Sequence, residues 1–115
     1  MSHTDTAEPE VQEPPGPEMT IVHAQAWHSW LAEAVQVAIA RGDALVRLNL
    51  RGVFEVDSCG LQQLLSARKT LQRHNGSLQL VQASPVVRES LSRFGFGLSS
   101  DGALHLSAPT TGVPA

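Results

Sequence analysis

The sequence predicts an α/β domain: a small, mostly parallel or mixed sheet of about four strands covered by about three helices. Three observations carry this expectation. Strand-like and helix-like patterns alternate along the chain. The helical stretches are long enough to serve as crossovers, which joins strands in parallel and lays helices over the sheet. The 115 residues, 42% hydrophobic and 17% charged, are one domain's worth and contain no apolar run near the ~18 residues of a membrane span.

Residues 1–17 hold four prolines (Pro9, Pro14, Pro15, Pro17) and almost nothing large and apolar. Such a stretch cannot bury enough surface to offset ordering entropy, so it is expected to be a disordered acidic tail. Val11-Gln12 is too hemmed in by proline to be read as a strand. Met19 to Val22 is short, β-branched and strand-like. Helical periodicity then runs from Ala24 to Arg41 through Trp27, Trp30, Leu31, Ala34, Val35, Ala38 and Ile39, and Gly42 stops it. Leu45 to Leu50 alternates apolar with polar and reads as a strand, and Gly52 to Val56 continues extended. A second helix from Cys59 or Gly60 to about His74 buries Leu61, Leu64, Leu65 and Leu71, and Asn75-Gly76 ends it. Leu78 to Val81 is the next strand. Ser84-Pro85 has the chemistry of an N-cap and first helical position for a helix carrying Val87, Leu91 and Phe94, closed by Gly95. Gly102 to Leu106 reads as a last short edge strand, and 108–115 as a flexible tail, which leaves a domain over 18–107.

Charge and cysteine narrow the function classes. Net charge is −3, with six acids and no Lys or Arg up to Ala40, then five acids and eight bases. That balance gives no electrostatic reason to expect nucleic acid. Cys59 is the single cysteine, so the chain has no intramolecular disulfide or zinc knuckle, which fits a reducing compartment. The first residues lack a basic region followed by an apolar one, so no secretory signal is read and a cytoplasmic location is expected.

The informative junction is Val56-Asp57-Ser58-Cys59-Gly60-Leu61, between a strand region and the best-formed helix. Open α/β sheets place working sites at such carboxyl ends of strands. The first N–H groups of the helix lack intrahelical partners and sit at the positive end of its dipole, where an anion or a phosphoryl group is stabilised. Asp57 and Ser58 are both strong N-cap residues, and Gly60 lets another backbone come close. From spacing alone the plainer reading takes precedence: Asp57 and Ser58 cap a helix, with Cys59 a small buried hydrophobe.

The segment from Leu48 to Leu61 resembles the signature of STAS domains, shared by anti-sigma-factor antagonists and sulphate transporters: an apolar strand, a short link, then Asp-Ser/Thr-Ser/Ala-Gly-Leu opening a helix. Gly76-Ser77-Leu78-Gln79-Leu80-Val81, Ser84-Pro85-Val86-Val87-Arg88 and the stretch Leu91 to Phe96 also match, so the resemblance spans roughly Glu18 to Leu106. It implies the STAS fold and a regulatory, bacterial protein–protein interaction module without catalytic residues, cofactor or metal. In the antagonists a partner that is both anti-sigma factor and serine kinase phosphorylates the second hydroxyl of the motif, and the added dianion opposes docking. That position is Cys59 here, and a thiol is not a serine kinase's acceptor. Ser58, at the preceding position, is the candidate phosphosite, with helix capping as its competing role. The switch and docking loop implied is Asp57, Ser58, Cys59 and Gly60, flanked by Gln62, Gln63 and Arg68.

Other STAS subfamilies also lack the hydroxyl. These include small subunits of ABC-type phospholipid-transport systems, which clamp an ATPase, and chemotaxis-associated proteins that meet a histidine kinase. The short run before the first helix, with no clear opening pair of strands, resembles these more closely. A thiol-based catalyst or redox sensor at Cys59 ranks third, since none of His23, His28, His74 or His105 stands in a recognisable Cys-His context. His23 and His28 point to different sides of a helix and make a poor metal pair. Trp27 and Trp30 are expected to be core plus an interface edge. Arg68, Lys69 and Arg73 line the outer side of the second helix, as a solvated face or as the flank of a docked partner.

Overall fold

The structure of the protein, a computed structural model, describes residues 10–106. Residues 1–9 of the expected acidic tail and the expected flexible segment 108–115 lie outside the described residues. In chain order the elements are β1 (Val11–Gln12), β2 (Glu18–Met19), a 3-10 turn (Ile21–His23), α1 (Ala24–Arg41), β3 (Leu45–Leu50), β4 (Glu55–Val56), α2 (Ser58–Arg73), β5 (Ser77–Ala83), α3 (Pro85–Arg93), β6 (Phe96–Leu98) and β7 (Leu104–Leu106).

β3 is the central strand, parallel to β1 on one side and β5 on the other. β2 and β4 form a separate parallel pair with Glu18 opposite Glu55 and Met19 opposite Val56. β6 and β7 form an antiparallel hairpin, and an antiparallel bridge from Ala103 to Gln79 ties it to the edge of β5. The mixed α/β architecture expected from the alternating pattern is therefore present.

Sequence period explains which faces meet. In β3, Val46, Leu48 and Leu50 are buried, while the alternating Leu45, Arg47 and Asn49 are only half-buried. β5 repeats this with Leu78 and Leu80. Against that apolar side α1 sets Trp27, Leu31, Val35 and Ala38, and α2 sets Leu61, Leu64, Ala67 and Leu71, each at steps of three and four. α3 adds Val87 and Leu91. The helix ends follow their predicted chemistry. Gly42 is left-handed (φ 104°) and its N–H reaches the Ala38 and Ile39 carbonyls. The Ser84 hydroxyl accepts from Val87 N–H at 3.4 Å, ahead of Pro85.

Three segments depart from expectation. Val11 and Gln12, read as tail, pair with Arg47 and Leu48. The pairing sits at the sheet edge, where the missing N–H of Pro14 takes nothing from the ladder. With β2 it supplies the opening pair of strands that the sequence had not revealed. Ile21 and Val22, read as strand, instead turn into the 3-10 segment and stand 67% and 79% exposed. The reason is that β4 offers only two residues to pair with, and Asp57 takes the next free amide, that of Ile21. β6 was read only as the apolar ending after α3. Its pairing with β7 closes across the loop 99–103, so no local signal marks it.

Leu48 is fully buried at the centre of the sheet. Leu48→Ala is expected to lower unfolding free energy by about 2–5 kcal/mol, against less than ~0.5 kcal/mol for the exposed Arg51→Ala. Urea midpoints at unchanged slope measure both.

Candidate functional site

The site is built around one carboxylate. Asp57 has an extended backbone (φ −115°, ψ 178°) and caps α2, its Oδ1 accepting from Gly60 N–H at 2.9 Å. Its other oxygen, Oδ2, accepts from Ile21 N–H, also at 2.9 Å, across 36 positions of sequence. The Asp57 N–H in turn donates to the Met19 carbonyl at 3.2 Å. Asp57 therefore clamps the start of α2 to the end of β2 and to the 3-10 turn. The backbone hydrogen bonds from Gly60 and then Ile21 hold its carboxyl below the usual aspartate range.

Gly60 makes the clamp sterically feasible. It is buried, and a Cβ there would overlap the Met19 carbonyl oxygen and stand 2.6 Å from the carbonyl carbon. Any side chain would push α2 away from β2. Here the glycine serves close approach rather than an unusual φ.

Ser58 is exposed on the first turn of α2, and Cys59 is half-buried beside it. Cys59 opens a groove of about 420 Å³ between α1 and α2, lined among others by His28, Leu31, Val35, Gln62 and Gln63 and by no Asp, Glu, Lys or Arg side chain. Gln62 is exposed along it. Gln63 is half-buried, and its amide donates to the Ala24 carbonyl at 3.2 Å, joining α2 to the first turn of α1.

Arg68 is placed elsewhere. Its Nε–H donates to the Leu104 carbonyl at 3.1 Å and its guanidinium stacks 5.2 Å from the centre of the Phe96 ring. It fastens the β6–β7 hairpin to the far flank of α2. Lys69 and Arg73 remain exposed.

The other side of the clamp was not foreseen from sequence. Trp27, 1% exposed, donates its indole N–H to the Glu18 carbonyl at 2.8 Å and meets Trp30 edge-to-face at 5.3 Å. His23 Nε2 lies 3.1 Å from Glu18 Oε1. Met19, Ile21 and Glu18 thus belong to the site through backbone groups that carry no residue-specific signal. Among the described residues, Cys59 makes no hydrogen bond to a histidine, and no group of three or more His, Cys, Asp and Glu is placed to hold a metal.

A helix opened by Asp-Ser-Cys-Gly-Leu, clamped to an upstream strand beside a parallel sheet, is accompanied by a match of residues 11–107 to the STAS domain family model. The chain belongs to the STAS domain family. The match begins at Val11, the first residue of β1. STAS domains are regulatory and protein-interaction modules and are in general non-catalytic. No curated protein and no solved structure matches the chain. No helix among the described residues is long and apolar enough to cross a membrane.

Two outcomes are expected. Gly60→Ala should destabilise the protein by roughly 1–3 kcal/mol despite the better helix propensity of alanine, because the backbone at Met19 has to move; thermal or urea unfolding measures this. The depressed folded-state pKa of Asp57 contributes stability that is complete above the unfolded value, about 4, and is lost as pH falls through the folded one. Asp57→Asn should therefore weaken the fall in stability on acidification below about pH 4, leaving the share of Asp43, which its hydrogen bond from Arg41 also holds low.

Proposed function

We propose that this STAS domain is a non-enzymatic, cytoplasmic interaction module of the anti-sigma-factor-antagonist type, whose protein partner docks on the start of α2. The docking face is the loop Asp57, Ser58, Cys59 and Gly60, in which Asp57 and Gly60 set the backbone and Ser58 and Cys59 meet the partner, continued along Gln62 and Gln63. The observation that carries this reading is the clamp itself. It presents Ser58, Cys59 and Gln62 on a preset surface while both oxygens of the Asp57 carboxylate are engaged by backbone N–H groups. Preorganisation of this kind lowers the entropy that binding costs. Arg68, held against Leu104 and Phe96, falls outside the proposed face.

The partner class is an anti-sigma factor with serine-kinase activity. Cys59 occupies the position of the usual phosphoserine and accepts no phosphate from such a kinase, so docking is not switched there. Ser58 is exposed at the positive end of α2, and it is the remaining candidate phosphosite in the loop.

A second reading is a constitutive STAS subunit of an ABC-type phospholipid-transport ATPase or of a chemotaxis kinase complex. The missing hydroxyl at Cys59 favours it. The opening strands β1 and β2 support the first reading, since their apparent absence was the other argument for the second.

Incubation with an anti-sigma serine kinase and ATP, followed by mass spectrometry, tests the first reading. The wild type is expected to carry no phosphate at position 59, whereas Cys59→Ser restores an acceptor and becomes phosphorylated. Kinase binding that is indifferent to substitution at Ser58, Cys59 and Gln62 overturns the reading, and co-purification of a transport ATPase or chemotaxis kinase in its place establishes the second.

A further inference from the structure

The 3-10 turn that Asp57 holds carries two large aliphatic side chains in water, Ile21 at 67% and Val22 at 79% exposure. They interrupt a stretch with an evident core on either side, Met19 and Trp27 both being buried. The hydrogen bond from Ile21 N–H to Asp57 Oδ2 fixes this turn beside Ser58 and Cys59, so the two aliphatics border the start of α2.

The β2–β4 pair that leads into this turn carries two carboxylates. Glu18 and Glu55 are direct register partners on β2 and β4, an arrangement of like charges that opposes strand pairing. Glu18 has His23 at 3.1 Å, whereas exposed Glu55 has no ion-pair partner among the described residues. β2 and the turn contain no Lys or Arg, and their one basic side chain, His23, lies against Glu18.

We infer that Ile21 and Val22 are the apolar anchor of the docking face, and that the occupant is a protein segment presenting aliphatic or aromatic side chains beside a Lys or Arg that Glu55 receives. The inference rests on the reading of the α2 start as the docking face and names the chemistry of the partner. Charge complementarity selects the occupant. A basic side chain relieves the Glu18–Glu55 repulsion, whereas an acidic partner adds to it, and a second copy of this chain would bring its own carboxylates to the same place. The aliphatics supply desolvation energy at the centre, and the carboxylates at the rim set orientation and association rate.

The probe is a library of short linear peptides displayed on phage and selected on the full chain. Enriched sequences should combine aliphatic or aromatic residues with Arg or Lys. Their affinity should fall roughly tenfold or more for the double variant Ile21→Ser, Val22→Ser. Glu55→Lys should weaken them as well and remove the salt dependence of binding. Both variants alter exposed positions, and unchanged urea midpoints verify folding. Failure to enrich any binder, enrichment of acidic sequences, or full affinity in both variants overturns the inference. So does concentration-dependent self-association that the double variant abolishes, which assigns the face to a second copy. Gln62→Lys separates the two levels. Peptides lost on that variant but kept on the double variant leave the α2 start as the docking face and sink its extension. Peptides lost on the double variant and Glu55→Lys but kept on Gln62→Lys hold the extension and sink the α2 reading.

Discussion

The contact between Gly60 and the Met19 carbonyl is the constraint on which the site depends. α2 can begin where it does only because its third residue has no side chain, which lets the helix start press against the end of β2. With that distance set, Asp57 bridges the gap at both oxygens, to Gly60 and to Ile21. The short β2–β4 pair, two residues on each side, adds little stability of its own. It is held from its ends, by Asp57 at one side and by the Trp27 indole on the Glu18 carbonyl at the other. A surface made from short and separate pieces becomes a single face in this way.

This arrangement separates the residues that hold the face from those that it displays. Asp57 and Gly60 are spent internally. Gln63 bonds α1 through its amide, and Arg68 secures the C-terminal hairpin on the opposite flank of α2. Ser58, Cys59, Gln62, Ile21 and Val22 remain toward solvent or the α1–α2 groove. A regulatory module requires this division, because a partner gains affinity from a surface that does not rearrange on binding. The thiol at Cys59 presents a small polarizable group at the mouth of that groove.

The parts of the fold governed by local chemistry were legible in the sequence. Alternation in Leu45–Leu50, the Ser84 cap, and the stops at Gly42 and Asn75-Gly76 each follow from period or from backbone preference and appear at the expected place, while α2 starts at Ser58, earlier than the expected Cys59 or Gly60, with Asp57 and not Ser58 as its cap. What was not legible depends on partners far away in the chain. Val11–Gln12 looks like linker because two pairing residues between prolines carry no pattern, and only the open edge of β3 makes them a strand. The turn at Ile21 is imposed by a carboxylate 36 residues on, which no local window sees. Arg68 looked like a free cation on an outer face. Its partners, the Leu104 carbonyl and the Phe96 ring, belong to a hairpin further along the chain, the carbonyl 36 positions away.

The central claim is that one carboxylate holds the start of α2 and the Ile21 turn together as a preset face, and site-resolved amide hydrogen exchange on the free protein tests it most directly. Ile21 and Gly60 amides, both bonded to Asp57, should be protected in the wild type and should lose protection together in Asp57→Ala, while the amide of Leu48 in the central sheet keeps its own. An Ile21 amide that exchanges freely in the wild type, or that keeps its protection without the carboxylate, would contradict the account.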